Sequence, residues 1–296
     1  MKFNNAFILT ATAAIIWGAT APIMKLTLTQ VPVFSLAFIR MAAASLILAT
    51  FVFKTLKIRK EDSLNLFWAA ITGVTLNLTF FFFGLKLTQA INASFLVASV
   101  PIFTILAAHF YLREKLTLRL VLASTVAFFG VSIIIGKPAT SANATQVFGN
   151  MLLLLASLSW VIHEMLAKKL LRIYSAGTVA FYTMAIGAIT LFPLFLWELI
   201  RNPIWATSVN QIGLAGIIYG VLFSSLVAYW VWQKGFALMP AGQAAFFFYL
   251  DPVSGATLSI LLLGEKITPN LIAGGLLIAV GVLLAEYHRR KHPLHR

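Results

Sequence analysis

A chain of 296 residues that is 60% hydrophobic, 10% charged and of mean hydropathy +0.94 is not built for water, because a soluble domain needs about 25% charged residues to cover its surface. Its formal charge of +14 would point to nucleic acid in a soluble protein, but here the cations follow a membrane topology, and no nucleic-acid partner is expected. The lack of cysteine removes disulfides, thiolate metal ligands and cysteine nucleophiles.

Apolar stretches long enough to cross about 30 Å of hydrocarbon recur at 6–28, 33–53, 64–86, 91–112, 117–136, 147–170, 176–199, 211–233, 241–263 and 269–287. An all-α integral membrane protein of ten transmembrane helices is expected. The polar gaps near Lys54–Asp62, Lys137–Gln146 and Arg201–Gln211 are too short for a soluble domain. Ala19-Thr20-Ala21 has the small-x-small look of a cleavage site, but the repeat described next argues that the first helix is kept. With the N-terminus inside, sixteen of the 22 Lys and Arg fall on inner segments. Five (Lys25, Lys86, Lys137, Arg201, Lys266) lie near outer ends, and Arg40 lies within a span. Cytoplasmic loops are enriched in Lys and Arg, so both termini are expected in the cytoplasm, in a multi-pass protein of the cell inner (plasma) membrane.

The chain repeats itself. An offset of 143 relates Trp17 to Trp160, Lys25 to Lys168, Ala37-Phe38 to Ala180-Phe181 and Met41 to Met184. An offset of 151 relates Gly84 to Gly235, Ala90 to Ala241, Phe95 to Phe246, Pro101 to Pro252 and Gly130 to Gly281, and lays Glu114-Lys115-x-Thr117 on Glu265-Lys266-x-Thr268. Five spans per copy is an odd number, so the second copy is expected to enter the membrane from the opposite side. Inverted repeats supply two related conformations about a midplane substrate site.

Trp17-Gly18, Arg40 and Ala93…Pro101…Glu114-Lys115…Gly130-Val131, recurring as Ala244…Pro252…Gly264-Glu265-Lys266…Gly281-Val282, resemble the EamA-type unit of the drug/metabolite transporter superfamily. The resemblance implies a first five-helix repeat at 1–138, an outer linker at 139–146, a second, inverted repeat at 147–288 and a basic cytoplasmic tail at 289–296. It also implies export of amino acids or related metabolites. Thr183 stands where Arg40 stands in the first copy, so any role of Arg40 is not duplicated.

Charge inside a membrane costs about 2.5–3.5 kcal/mol at a helix centre on insertion scales, which makes ionisable residues there candidate sites. Asp251 lies ten residues into the ninth span, about 15 Å from either face. It precedes Pro252, which is expected to kink the helix. Asp251 reads as a group that binds substrate and carries a proton inward, or as a neutral or paired residue joining helices. Arg40 reads as a fork for a carboxylate, as a side chain snorkelling outward, or as a cap on broken-helix carbonyls; paired with Asp251, it would make that residue structural. Trp160, His163 and Glu164 share one helical face, and Glu164 is also placed to pair with Lys168 one turn on.

A cavity for an amphipathic metabolite uses a few aromatics and sparse polar groups. The candidates are Trp17, Phe80, Trp160, His163, Tyr182 and Phe246, with Asn77, Asn92, Ser94, Ser99 and Gln243, beside Arg40 and Asp251. Trp17, Asn77, Trp160, Tyr182, Phe246 and Asp251 are expected to approach one cavity near the midplane. Glu114 and Glu265, at junctions on opposite faces, are read as structural partners of helix N-termini. Small residues at Ala123, Ala127 and Gly130 and at Gly274, Gly275 and Gly281 favour close helix packing, within a monomer or across a homodimer. No cofactor or metal site is expected. No P-loop, H-E-x-x-H or G-x-S-x-G occurs, so the reading is a secondary transporter and not an enzyme. An uptake or exchange carrier, or a non-transporting scaffold or receptor, remains the alternative.

Overall fold

The computed structural model describes residues 2–88, 93, 96–135, 144–263 and 269–287, and among these the regular backbone is helical. In lipid every backbone polar group must bond within the protein, which a helix achieves by itself. Helix α1 spans Lys2–Thr27, α2 Val33–Val52, α4 Val100–Leu112 and α5 Leu118–Ile135. Between them α3 runs Ser63–Ala70, through a π-helical segment Ile71–Leu76, to Asn77–Leu87. Helix α6 is Ala144–Leu170 and α7 Ala176–Arg201. Then α8 runs Gln211–Tyr219, a π-helical segment Gly220–Val227, and Ala228–Ala237. Helix α9 begins as Ala241–Ala245, tightens into a 3-10 turn at Phe246–Tyr249 and continues as Leu250–Leu263; α10 is Pro269–Tyr287. Six of these elements are long and apolar enough to cross a membrane: Asn5–Thr27, Val33–Thr55, Lys60–Leu87, Ala144–Leu170, Ala176–Arg201 and Gln211–Ala237. Val100–Leu112, Leu118–Gly130 and Ile272–Gly281 are shorter apolar stretches. Asn92, Ser94, Glu265-Lys266, most of the 139–146 linker and the 289–296 tail lie outside the described residues.

Helix ends are closed by side chains. Ser175 accepts from Thr178 N at the start of α7, and Asn210 from Ile212 N and Gly213 N at the start of α8. Helix α2 begins after Pro32 and borrows its cap from α7, Glu198 accepting from Phe34 N and from Ser35 N and Oγ. Arg113 ends α4 in the left-handed region at φ 57°. Glu114, the next residue, accepts from Ala241 N and Gly242 N at 2.7 and 3.1 Å. The positive helix end it serves therefore belongs to α9.

Pro252 sits near the start of the α-helical part of α9, just after the 3-10 turn. The tighter winding of that turn accommodates the N–H that proline lacks, where a mid-helix kink was expected. Helix α1 packs on α8 and α9, α6 on α3 and α4, α2 on α7, and α5 on α10. One large apolar cluster runs through α1–α4 and α6–α9. The α5–α10 pair joins it through a smaller cluster built on Phe246, Tyr249 and Ala98. Leu46, Phe110, Ile189 and Leu276 are 63–79% exposed. Such outward apolar side chains have no use in water and suit lipid.

Candidate functional site

A π turn bonds i to i+5 and leaves a backbone carbonyl without its usual helical donor. Carbonyls at both π segments accept side-chain donors. Ala69 O, at the entry to the first, accepts from His163 Nδ1 at 2.8 Å. Gly220 O, at the entry to the second, accepts from Arg40 Nε at 3.3 Å. One turn further, Gly73 O accepts from Tyr229 OH (3.0 Å) and Ser224 O from Trp17 Nε1 (2.9 Å). Position 69 maps on 220, and 73 on 224, by the offset of 151 seen in the sequence.

Between the π segments lies a narrow cleft of about 110 Å³, room for a few waters or part of a small ligand as it stands. Its aromatic wall is Trp17, Phe81, Trp160, Tyr229 and Phe248, and its polar groups are Thr20, Arg40, Asn77, Ser157, Ser224 and Asp251. Trp17 organises the wall: it lies edge-on to Trp160 at 5.2 Å and to Tyr229 at 5.5 Å, and parallel to Phe248 at 5.9 Å between ring centroids. Arg40, 2% exposed, also gives NH2 to Ser224 Oγ at 2.8 Å and Nε to Ser225 Oγ at 3.2 Å, and its Cζ lies 5.4 Å from the centre of the Phe82 ring. Asn77 donates to Ala156 O at 2.9 Å. Of the residues singled out from sequence, Trp17, Arg40, Asn77, Trp160 and Asp251 share this cleft.

The others stand elsewhere. Tyr182 turns toward the loop after α2, its hydroxyl donating to Leu56 O at 2.6 Å, because its face of α7 packs on α3 and α6. Phe246 is buried among Ala98, Ile105 and Ala127, since the 3-10 turn points it at α5 and leaves Phe248 to the cleft. Ser99 bonds back to Leu96 O, and neither Phe80 nor Gln243 reaches the lining. His163 lies behind Trp160, at 4.8 Å between ring centroids, and its Nε2 meets Gln233 Nε2 at 3.1 Å. The expected Glu164–Lys168 pair is not formed. Glu164, fully buried, accepts from Thr104 Oγ1 at 2.8 Å, while Lys168 reaches past it to the free carbonyls at the end of α8. Arg40 and Asp251 are likewise unpaired: among the described residues the ion pair present is Arg59–Glu61, on an exposed loop.

Above and below the cleft the two halves carry matching caps. Lys25 Nζ donates to Leu85 O and Thr88 O at the end of α3. Lys168 Nζ donates to Phe236 O and Met239 O at the end of α8. The lysines are related by the offset of 143 and both carbonyls by 151. Gly84 and Gly235 obey the same mapping: a Cβ on the first would touch Gly149 O and Leu153, and on the second Ala6 O and Thr10.

A bundle of apolar helices around a cleft marks a membrane protein, and the comparisons with known proteins supply its class. The EamA-like transporter family matches residues 4–136 and again 147–287, and the chain belongs to that family. An uncharacterized transporter of Archaeoglobus fulgidus is 29% identical over 97% of this chain and 99% of its own. A probable terminal-alkyne amino-acid exporter of Streptantibioticus cattleyicolor is 26% identical over 96% and 94%. A protein of known crystal structure shares the fold with TM-score 0.78 at 17% identity, covering 97% of this chain and 98% of that one. The chain is a multi-pass membrane transporter of a small molecule, not an enzyme.

Proposed function

We propose that this protein exports a small amphipathic metabolite, an amino acid or a related compound, by alternating access between two inverted five-helix repeats, 1–138 and 147–288. In this reading the ten helices cross the cell inner membrane, the 139–146 linker is outside, and both termini, with the basic tail, are in the cytoplasm. One observation carries it: the cleft lies between two equivalent lysine caps, Lys25 on α3 and Lys168 on α8, which the charge distribution puts at opposite faces. Alternating access needs one site with a closure on each side, and inverted repeats supply two closures of the same construction. The amino-acid class draws support from a cleft that joins an aromatic wall to one buried guanidinium and one buried carboxyl group, and from the name of the Streptantibioticus relative.

Proton coupling enters through Asp251. A carboxyl that holds substrate in one half-cycle and a proton in the other exchanges the two across the membrane. Gly130 packs on Gly274 and Gly281 on Ala127 within the chain, leaving Gly275 open, so most of the small-residue face is used internally, which favours a monomer. The test is counterflow in liposomes: protein loaded with an unlabelled amino acid inside should concentrate the labelled one. Absence of counterflow for every metabolite tried, in folded and correctly inserted protein, would refute carrier function.

A further inference from the structure

A basic and an acidic side chain line the same cleft, and among the described residues neither has a counter-ion. Arg40 is 2% exposed and Asp251 7%, and the described ion pairs include neither. Arg40 NH1 and Asp251 Oδ1 have no hydrogen-bond partner. The guanidinium is held in place by its remaining bonds, and the backbone under the carboxyl by helix packing. Arg40 is fixed by Gly220 O, Ser224 Oγ and Ser225 Oγ through its other two nitrogens. The backbone that carries Asp251 is held by close packing of α1 on α9, where a Cβ on Gly18 would fall 2.5 Å from Asp251 O. A buried ionisable group without a partner is costly to charge, and one of each sign stands here on the lining of the same cleft.

We propose that the cleft recognises a zwitterion, with the carboxylate drawn to Arg40, the ammonium to Asp251, and the apolar remainder laid against Trp17, Trp160, Tyr229 and Phe248. This rests on the transport reading above and narrows it. A ligand with one charge satisfies one wall and leaves the other unpaired beside it. An uncharged ligand displaces water from both and pairs neither. Only a ligand carrying both signs lets the cleft close with no charge stranded. The aromatic wall then takes the side chain, and its rings set size more than chemical identity.

The twenty proteinogenic amino acids, offered singly as radiolabelled probes for counterflow in liposomes, identify a transported parent. Its methyl ester, its N-acetyl derivative and its uncharged N-acetyl amide are then tested as competitors on the unaltered protein. The ester and the N-acetyl derivative should each compete about 10- to 100-fold more weakly than the parent, the range expected for losing one charged hydrogen bond. In Asp251→Asn the penalty for N-acetylation should shrink while the ester penalty stays. In Arg40→Gln, if it folds, the reverse should hold; the ligand series on the unaltered protein decides the matter without it. Equal competition by parent and singly charged derivatives overturns the zwitterion assignment and leaves carrier function standing. Counterflow of an uncharged or singly charged solute with none of any amino acid does the same. No counterflow of any probe brings down both.

Discussion

Replacing Lys168 by Met tests whether the lysine caps are closures or merely helix ends. Lys168 is 9% exposed and donates to Phe236 O and Met239 O. Hydrogen bonds from a charged donor contribute about 1.5–3 kcal/mol each. Part of that is offset by the cost of drawing the ammonium out of water, leaving a net of about 2–3 kcal/mol for the pair of bonds. If both bonds break when the inner side opens, Lys168→Met should raise the inner-open population about 30- to 150-fold. Lys25 makes the matching bonds to Leu85 O and Thr88 O from a half-buried position, where water competes. Its replacement should favour the outer-open form by about 1–1.5 kcal/mol, roughly 5- to 12-fold. The chain has no cysteine, so Ser157→Cys, in the cleft lining, reports access cleanly. The rate of its reaction with an impermeant thiol reagent, applied to one side of oriented vesicles at a time, measures each population. Faster labelling from the inside in Lys168→Met and from the outside in Lys25→Met is the expected result. Acceleration from the same side in both, or in neither, would refute the reasoning.

Exposed single cysteines at Lys57 and Thr207 should label from the cytoplasmic and outer sides respectively; the opposite pattern reverses the topology. Glu114→Gln weakens a charge-assisted cap on Ala241 N and Gly242 N and should cost about 1–2 kcal/mol, read as a lower midpoint in a thermal melt. Gly130→Ala would place a Cβ 2.7 Å from Gly274 O, whereas nothing lies within 4 Å of one on Gly275. The first should destabilise by about 1–3 kcal/mol and the second should leave the melt unchanged or raise it, so equal midpoints would contradict the α5–α10 packing. Asp251→Asn should abolish accumulation driven by a pH gradient; normal gradient-driven transport by this variant would end the proton hypothesis.

Much of the architecture was legible because lipid allows few solutions. Apolar length alone located the long helices to within a few residues, and the two sequence offsets turn out to relate contacts as specific as Lys25 with Leu85 and Lys168 with Phe236. The cleft was legible where depth and symmetry singled out a residue, as for Trp17, Trp160, Arg40 and Asp251. It was illegible where side-chain direction depended on winding. Phe246 and Tyr182 were chosen for being aromatic and deep, but direction on a helix is set by steps of 100° from a known anchor. Counting three residues back from Asp251 reaches Phe248, and three and four back from Trp160 reach Ser157 and Ala156; all three line the cleft. The missed Tyr229 and Ser224 lie in or just beyond the second π segment, a change of winding that no periodicity of apolar residues announces. Glu164 and Lys168 had ideal spacing for an ion pair, yet unsatisfied carbonyls at a helix break competed more strongly for the lysine.

The π segments have a consequence for heredity as well as for shape. A π turn amounts to one extra residue wound into an α-helix, so everything beyond it is turned by about 100° relative to an uninterrupted helix. Asn77 follows Ile71–Leu76 directly, and Tyr229 follows Gly220–Val227. Loss of a single codon from either segment would restore an unbroken helix, free Ala69 O or Gly220 O from its need for an outside donor, and swing Asn77 or Tyr229 off the cleft. Such a deletion would improve the local hydrogen bonding of one helix while dismantling the cleft wall, so in this chain the residue count of these two stretches matters more than their composition.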